Sequence, residues 1–157
     1  GFPQRGLPPA HLFQTSKEIT EKYAADGIKA YISVNKALVT QSSAAIPIVP
    51  LYISILYKVM KEKGVHEGCI EQMYRLFAEK FGADGKPVSG AVDGEGRIRL
   101  DDLEMKPEIQ DEVTKLWNIL NADNFKEYTD IEGYWKDFYE LFGFGIDGVD
   151  YEADVEV

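Results

Sequence analysis

Pro50-Leu51-Tyr52-Ile53-Ser54-Ile55-Leu56-Tyr57-Lys58-Val59-Met60-Lys61-Glu62-Lys63-Gly64 is the stretch that decides the fold. Pro50 suits the first turn of a helix, where its missing N–H costs nothing. Leu51, Ile55, Leu56, Val59 and Met60 recur at helical spacing, and Gly64 is a natural stop. A second helix is predicted from about His66 to Lys80, with Cys69, Ile70, Met73, Leu76 and Phe77 as its core positions. These two adjacent helices are the expected centre of the core.

Working outward, Ala30 to Val34 reads as a strand, with Leu38-Val39 close behind, and Gln41-Ser42-Ser43 as a polar loop. Thr15 and Glu18 have capping-box spacing, which predicts a short helix from Ser16 to about Ala25, ended by Asp26-Gly27. Residues 1–16, with Pro3, Gly6, Pro8 and Pro9, read as an extended arm. Downstream, Pro87-Val88 and Arg97 to Leu100 flank Asp93-Gly94-Glu95-Gly96 and suggest a hairpin. Pro107 is expected to open a helix through Leu120, with Ile109, Val113, Leu116, Trp117 and Leu120 on one face. A last helix is predicted over Ile131 to Phe142, burying Tyr134, Trp135, Phe138, Leu141 and Phe142, with Gly143 as stop. Val149 to Val157 alternates apolar and acidic residues, as a short final strand would.

The chain has 157 residues, 45% of them hydrophobic, and a formal net charge of −10. That is enough apolar material for a core and argues against wholesale disorder. The charge is divided: residues 1–80 carry ten basic and seven acidic groups, residues 81–157 seven basic and twenty acidic. An acidic surface disfavours nucleic acid and anionic membrane, which need basic ones. A slightly basic N-terminal half suits a phosphate-bearing ligand; the bland reading is a solvated acidic face. One cysteine, Cys69, excludes an intramolecular disulfide and a multi-cysteine zinc site. No signal peptide is read in Gly1 to Ser16. Ala44 to Tyr57 is too short to span a bilayer and carries Pro47 and Pro50, so a soluble cytoplasmic protein (organellar if eukaryotic) is expected.

Candidate chemistry is sparse. Asp93 and Glu95 fall at positions three and five of a calcium loop, but Ala91 stands at position one and Asp102 at position twelve, so a plain turn is the better reading. His66 begins a helix with no second histidine at ligand spacing, and His11 has no partner. Cys69 reads as an inert core thiol. No Walker loop or Gly-rich dinucleotide fingerprint is read in the chain. Thr40-Gln41-Ser42-Ser43 follows a strand and precedes an apolar turn, where α/β folds place ligand contacts. An ordinary polar loop is the rival.

At this loop the chain resembles the FabV type of NADH-dependent trans-2-enoyl-CoA (enoyl-acyl carrier protein) reductases. The likeness runs through Val34 to Gln41, Ile46-Pro47, Pro50-Leu51-Tyr52, Tyr57 to Gly64 and His66 to Gln72. It resumes at Arg97 to Glu104 and closes with Leu141 to Gly145 and Gly148 to Tyr151. The resemblance covers residue 17 to the end and implies an α/β fold: the C-terminal portion of a Rossmann-type short-chain dehydrogenase/reductase. What is present should be mostly helical, with one or two sheet strands and a small hairpin. It also implies two regions: a non-matching arm at 1–16 and an enoyl reductase segment at 17–157.

By resemblance, Val39 and Thr40 contact the nicotinamide and pyrophosphate of NADH, while Val49, Tyr57 and Tyr134 line the acyl pocket. The rival reading of Tyr57 and Tyr134 is core packing. The family's function is reduction of the trans-2 double bond of enoyl-CoA or enoyl-acyl carrier protein by hydride from NADH, in fatty acid synthesis. No position here matches the family's Tyr/Lys pair, so no catalytic residue is assigned, and the chain alone is expected to be inactive. An exposed apolar face should then favour self-association or pairing with a missing N-terminal half. The rival from another class is a non-catalytic acidic interaction module, or a calcium-binding one at Asp93.

Overall fold

The computed structural model describes residues 10–154. In chain order it contains α1 (Ala10–Lys22), a 3-10 turn (Ala24–Asp26), β1 (Ile32–Val34), α2 (Gln41–Ala44), α3 (Val49–Glu62) and α4 (Cys69–Glu79). After them come β2 (Arg97–Arg99), α5 (Pro107–Ile119), α6 (Phe125–Tyr128) and α7 (Ile131–Glu140). The chain divides into two compact units. This is an α/β composition, mostly helical with a two-stranded parallel sheet.

The larger unit comprises residues 36–73 and 101–157 and is organised around α3. Its sequence is apolar on nearly every side, and Ile53, Ile55, Leu56, Tyr57, Val59 and Met60 are all fully buried. A helix of that kind must be surrounded. α5 meets it with Ile109, Val113 and Leu116, and α7 meets it with Tyr134. Each such side chain taken from water contributes about 1.5–3 kcal/mol. Pro50 stands in the first turn of α3, as expected. The turn before it is unusual: Ile48 has φ 73°, a left-handed conformation that a β-branched residue rarely adopts. α7 is fastened by Asp130, whose carboxylate accepts the Gly133 N–H (3.0 Å) while its own N–H donates to the Ser54 carbonyl (2.8 Å).

The other unit comprises residues 1–35 and 74–100. β1 and β2 pair in parallel, with Ile32 opposite Arg97, Ser33 opposite Ile98 and Val34 opposite Arg99. Ile32 and Ile98 are its buried strand residues. The ladder continues one step, the Leu100 N–H donating to the Val34 carbonyl at 2.9 Å. Arg75 Nη2 donates to the Leu100 carbonyl at 2.6 Å. Thr20 Oγ1 on α1 accepts the Ala30 N–H at 3.0 Å, tying the helix to the approach to β1.

Several expectations change. Residues 10–16 are helical rather than an extended arm, and Thr15 lies inside α1 rather than capping it; residues 1–9 lie outside the described residues. Gln41-Ser42-Ser43 is a turn of helix, because Thr40 and Ser43 cap each other: Ser43 N–H donates to Thr40 Oγ1 (3.0 Å) and Thr40 N–H to Ser43 Oγ (2.8 Å). The hairpin is reduced to one antiparallel bridge, Val92 with Ile98, because Arg97–Arg99 pairs with β1 instead. α4 starts at Cys69, and of the core face assigned to it Cys69, Ile70 and Phe77 are turned outward while Met73 and Leu76 are half-buried. Ile70 (77%), Tyr74 (74%) and Phe77 (68%) are exposed, whereas Gln72 is fully buried. The buried polar side holds because it is bonded: Gln72 Oε1 accepts the Lys36 N–H, and its amide donates to Glu67. On α7 only Tyr134 is fully buried, while Trp135, Leu141 and Phe142 are exposed. Residues 149–154 form no strand, and 155–157 lie outside the described residues.

Candidate functional site

Beyond β1 the backbone runs through Lys36 to Thr40 into α2, and this segment borders a cleft of about 820 Å³ in the larger unit. Val39 and Tyr57 line it, together with His66, Cys69, Glu71, Asp137 and Leu141 among others. Val39 is 4% exposed, and Tyr57 is fully buried. The Tyr57 hydroxyl donates to Asp137 Oδ2 at 2.7 Å. Burial and this carboxylate push the phenol well above its usual range, while the Val39 backbone N–H opposes them.

Cations and an imidazole surround the Tyr57 ring. Lys36 Nζ stands 4.9 Å from its centroid, Lys61 Nζ stands 5.5 Å away, and the His66 ring meets it edge-on at 4.4 Å. Burial lowers Lys36 to about 8, against the opposing pull of Glu104, Glu67, Asp137 and Glu71. Its ammonium donates to the Ala37 carbonyl at 3.0 Å. His66 is lowered to about 4 by burial and by Lys36 and Lys61, so it is neutral at physiological pH. Its Nδ1 is buried without a hydrogen-bond partner.

Val39 and Tyr57 are therefore brought together, whereas Thr40, Val49 and Tyr134 are not among the residues lining that cleft. Thr40 is exposed and engaged in its cap. Val49 is half-buried in the first turn of α3. Tyr134 is 1% exposed, with a hydroxyl buried and unpartnered. Cys69 is exposed at the start of α4 rather than facing the core. Sequence reasoning passed over His66, Asp137, Lys36 and Glu104 as site residues. Asp137 carried a faint signal, lying three residues after Tyr134 on the same helix; the buried charge at Lys36 and Glu104 carried none.

Among the described residues no three metal-binding side chains are grouped as a metal site. Asp93 is occupied internally: Oδ1 accepts the N–H groups of Glu95 and Arg97, and Oδ2 accepts Arg97 Nε at 2.7 Å. That arrangement makes a tight turn and leaves the carboxylate little to offer a cation.

Comparison with known proteins places the chain. Residues 6–81 match the trans-2-enoyl-CoA reductase catalytic region, and residues 92–155 match the enoyl reductase FAD binding domain. The trans-2-enoyl-CoA reductase [NADH] of Ruminiclostridium cellulolyticum is 57% identical over 93% of this chain and 36% of that protein. The enoyl-[acyl-carrier-protein] reductase [NADH] of Coxiella burnetii is 54% identical over 97% of this chain and 37% of that protein. In three dimensions, the trans-2-enoyl-CoA reductase of Clostridium acetobutulicum, crystallised with NADH, superposes with a TM-score of 0.82. It is 49% identical, over 92% of this chain and 36% of that one. The Treponema denticola reductase, crystallised with NAD, gives 0.81 at 45% identity, over 92% and 35%.

The architecture is thus that of a portion of a Rossmann-type reductase. Within that class, the chain belongs to the NADH-dependent trans-2-enoyl-CoA/enoyl-acyl carrier protein reductase family, to whose C-terminal part it corresponds. It spans a little over a third of the length of the relatives it matches. The family match begins at residue 6, inside the region read as a non-matching arm.

The residues of the segment named for FAD do not fit that cofactor. They are strongly acidic, and Arg97 is held by Asp93 and Glu95. The sequence reading overlooked one G-x-G-x-x-G spacing, Gly143-Phe144-Gly145-Ile146-Asp147-Gly148. It follows the end of helix α7, where a pyrophosphate cradle must follow a strand and open a helix. The 36–40 segment is different. Its Val39 lines the cleft that holds an unpartnered buried nitrogen at His66, a setting with room and a polar group for one edge of a dinucleotide.

Among the described residues no helix is long and apolar enough to cross a membrane.

Proposed function

We propose that this chain supplies the cofactor-facing loop and part of the acyl-pocket wall of an enoyl reductase. The intact protein would reduce the trans-2 double bond of enoyl-CoA or enoyl-acyl carrier protein in the cytoplasm. NADH supplies the hydride when bound; the protein's share is orientation and electrostatics. In this reading Val39 and Thr40 meet the nicotinamide and pyrophosphate, with Val39 buried against the cleft. Tyr57 walls the acyl side, Val49 sets the entry to α3, and Tyr134 offers its unpaired hydroxyl. The observation that carries the reading is the shared cleft of Val39 and Tyr57, in a chain 57% identical to a relative named as a trans-2-enoyl-CoA reductase [NADH].

The 157 residues alone lack a position for the family's Tyr/Lys acid, so they bind poorly and do not turn over. The outward face of α4, with Ile70, Tyr74 and Phe77, supports pairing with an N-terminal segment or with another copy. The test is NADH oxidation with crotonyl-CoA by two proteins: this chain alone, and a chimera with this chain in place of the matching segment of the Ruminiclostridium relative. Background rate for the first and turnover for the second are expected. An inactive but folded chimera overturns the proposal.

A further inference from the structure

The backbone leaves its ladder at Val34, yet Val39 must be held to within a fraction of an ångström to orient a flat ring. What holds the interval is a set of buried side chains. Glu104 is fully buried, and its two carboxylate oxygens serve two different elements. Oε2 accepts the Ala37 N–H at 2.8 Å; Oε1 accepts the Tyr52 hydroxyl of α3 at 2.6 Å. One residue earlier, the Lys36 N–H donates to Gln72 Oε1 of α4 at 3.1 Å. Gln110 of α5 closes the arrangement, donating to the Glu104 carbonyl at 2.8 Å and to the Tyr52 hydroxyl at 3.3 Å. Two successive N–H groups of the loop are thus taken by side chains.

We propose that Glu104 is a positioning residue for the cofactor loop: its bond to the Ala37 N–H sets the conformation of residues 36–40 and, through it, the affinity for NADH. This rests on the reading of Val39 and Thr40 as the NADH contact. A buried carboxylate is costly unless fully bonded, and a helix-anchoring role needs only the Tyr52 bond. The second oxygen, spent on a loop two residues before Val39, is the part that bears on function.

The two bonds are separable. Glu104→Met has similar length and neither acceptor; Glu104→Gln keeps one oxygen for the Ala37 N–H; Tyr52→Phe removes the other bond and leaves Ala37 held. In the chimera, Glu104→Met should raise KM for NADH about tenfold with kcat changed less, the worth of one charge-assisted bond. Glu104→Gln should restore KM to near the parent value. Tyr52→Phe should lower the denaturation midpoint without moving KM. In this chain, amide exchange at Ala37 and Val39 should accelerate in Glu104→Met and not in Tyr52→Phe. A KM that follows stability across the three variants, or unchanged exchange at Ala37, overturns the proposal. A folded parent chimera that binds no NADH sinks the functional reading instead, and the exchange measurement still decides whether Glu104 holds the loop.

Discussion

The Tyr57 hydroxyl donates to Asp137 Oδ2 at 2.7 Å, joining the buried centre of α3 to α7 at the wall of the cleft. The bond spans eighty positions of sequence. Tyr57 thereby combines an apolar ring in the core with a polar tip that has a fixed partner. Removing that tip by Tyr57→Phe leaves Asp137, which is half-buried, short of one donor. A loss of about 1–1.5 kcal/mol is expected, read by urea denaturation. Asp137→Asn, which still accepts, should lose less.

Lys36 makes stability depend on alkaline pH. Its pKa in the fold is about 8, against 10.5 in the unfolded chain. Between those values the unfolded state binds more protons, so stability rises with pH across that window. Below about 8 the cost of the buried ammonium is present in full. Lys36→Met should therefore be more stable than the parent at pH 7, and the gap should close by pH 10.5. Denaturation midpoints at both pH values check this; a gap that does not change with pH contradicts it.

His66 acts in the acid range. Its pKa is lowered from 6.5 to about 4 in the fold, so between those values the unfolded state again holds the extra proton. Stability is full above about 6.5 and falls as pH drops toward 4. His66→Phe should remove part of that acid loss and leave the neutral-pH midpoint within about 1.5 kcal/mol, as a swap of similar volume does. Thermal unfolding from pH 7 to pH 4 is the measurement.

Gly133 is required by a close approach. A β-carbon there would fall within van der Waals contact of both the Asp130 carboxylate and Lys61 Nζ, which pair with each other at 2.5 Å. Helix propensity alone favours Gly133→Ala by about 1 kcal/mol. The structure predicts the opposite sign, because Ala forces the α7 cap and the ion pair apart. A measured stabilisation by Gly133→Ala contradicts the arrangement. Asp130→Ala, which removes the cap, should cost about 1 kcal/mol.

Ile48 offers the reverse case. It is 55% exposed and has φ 73°, a conformation costing a non-glycine residue about 1–2 kcal/mol. Ile48→Gly should relieve that strain while giving up little buried surface, so the net change should be neutral or stabilising. A loss above about 1 kcal/mol in urea would show that the strained turn is held by packing at Ile48.

The sequence was most legible where the pattern is local and the environment uniform. α3 and α5 were read almost to their ends, because Pro opens each and apolar residues recur at helical spacing toward the core. The parallel pairing of Ile32–Val34 with Arg97–Arg99 was not readable, since about sixty residues separate its partners and Asp93–Gly96 offered a nearer one. α4 was misread in its facing rather than its existence. Its apolar positions were assigned inward, but Gln72 is buried there because Lys36 and Glu67 satisfy its amide. No period in α4 announces those distant partners.

Helix positions, the turns at Gly27 and Gly64, the divided charge and the family were thus determined by the sequence itself, because propensity, capping and motif identity act over a few residues. Tertiary structure alone decided which polar groups could be buried. Lys36, Gln72 and Glu104 come from three separate stretches, and only folding brings their donors and acceptors within bonding distance. The same assembly put Val39 and Tyr57 on one cleft while leaving Thr40, Val49 and Tyr134 out of its lining. A hydrogen bond between distant residues has no periodic trace in the chain, so the site's geometry had to be read from the fold.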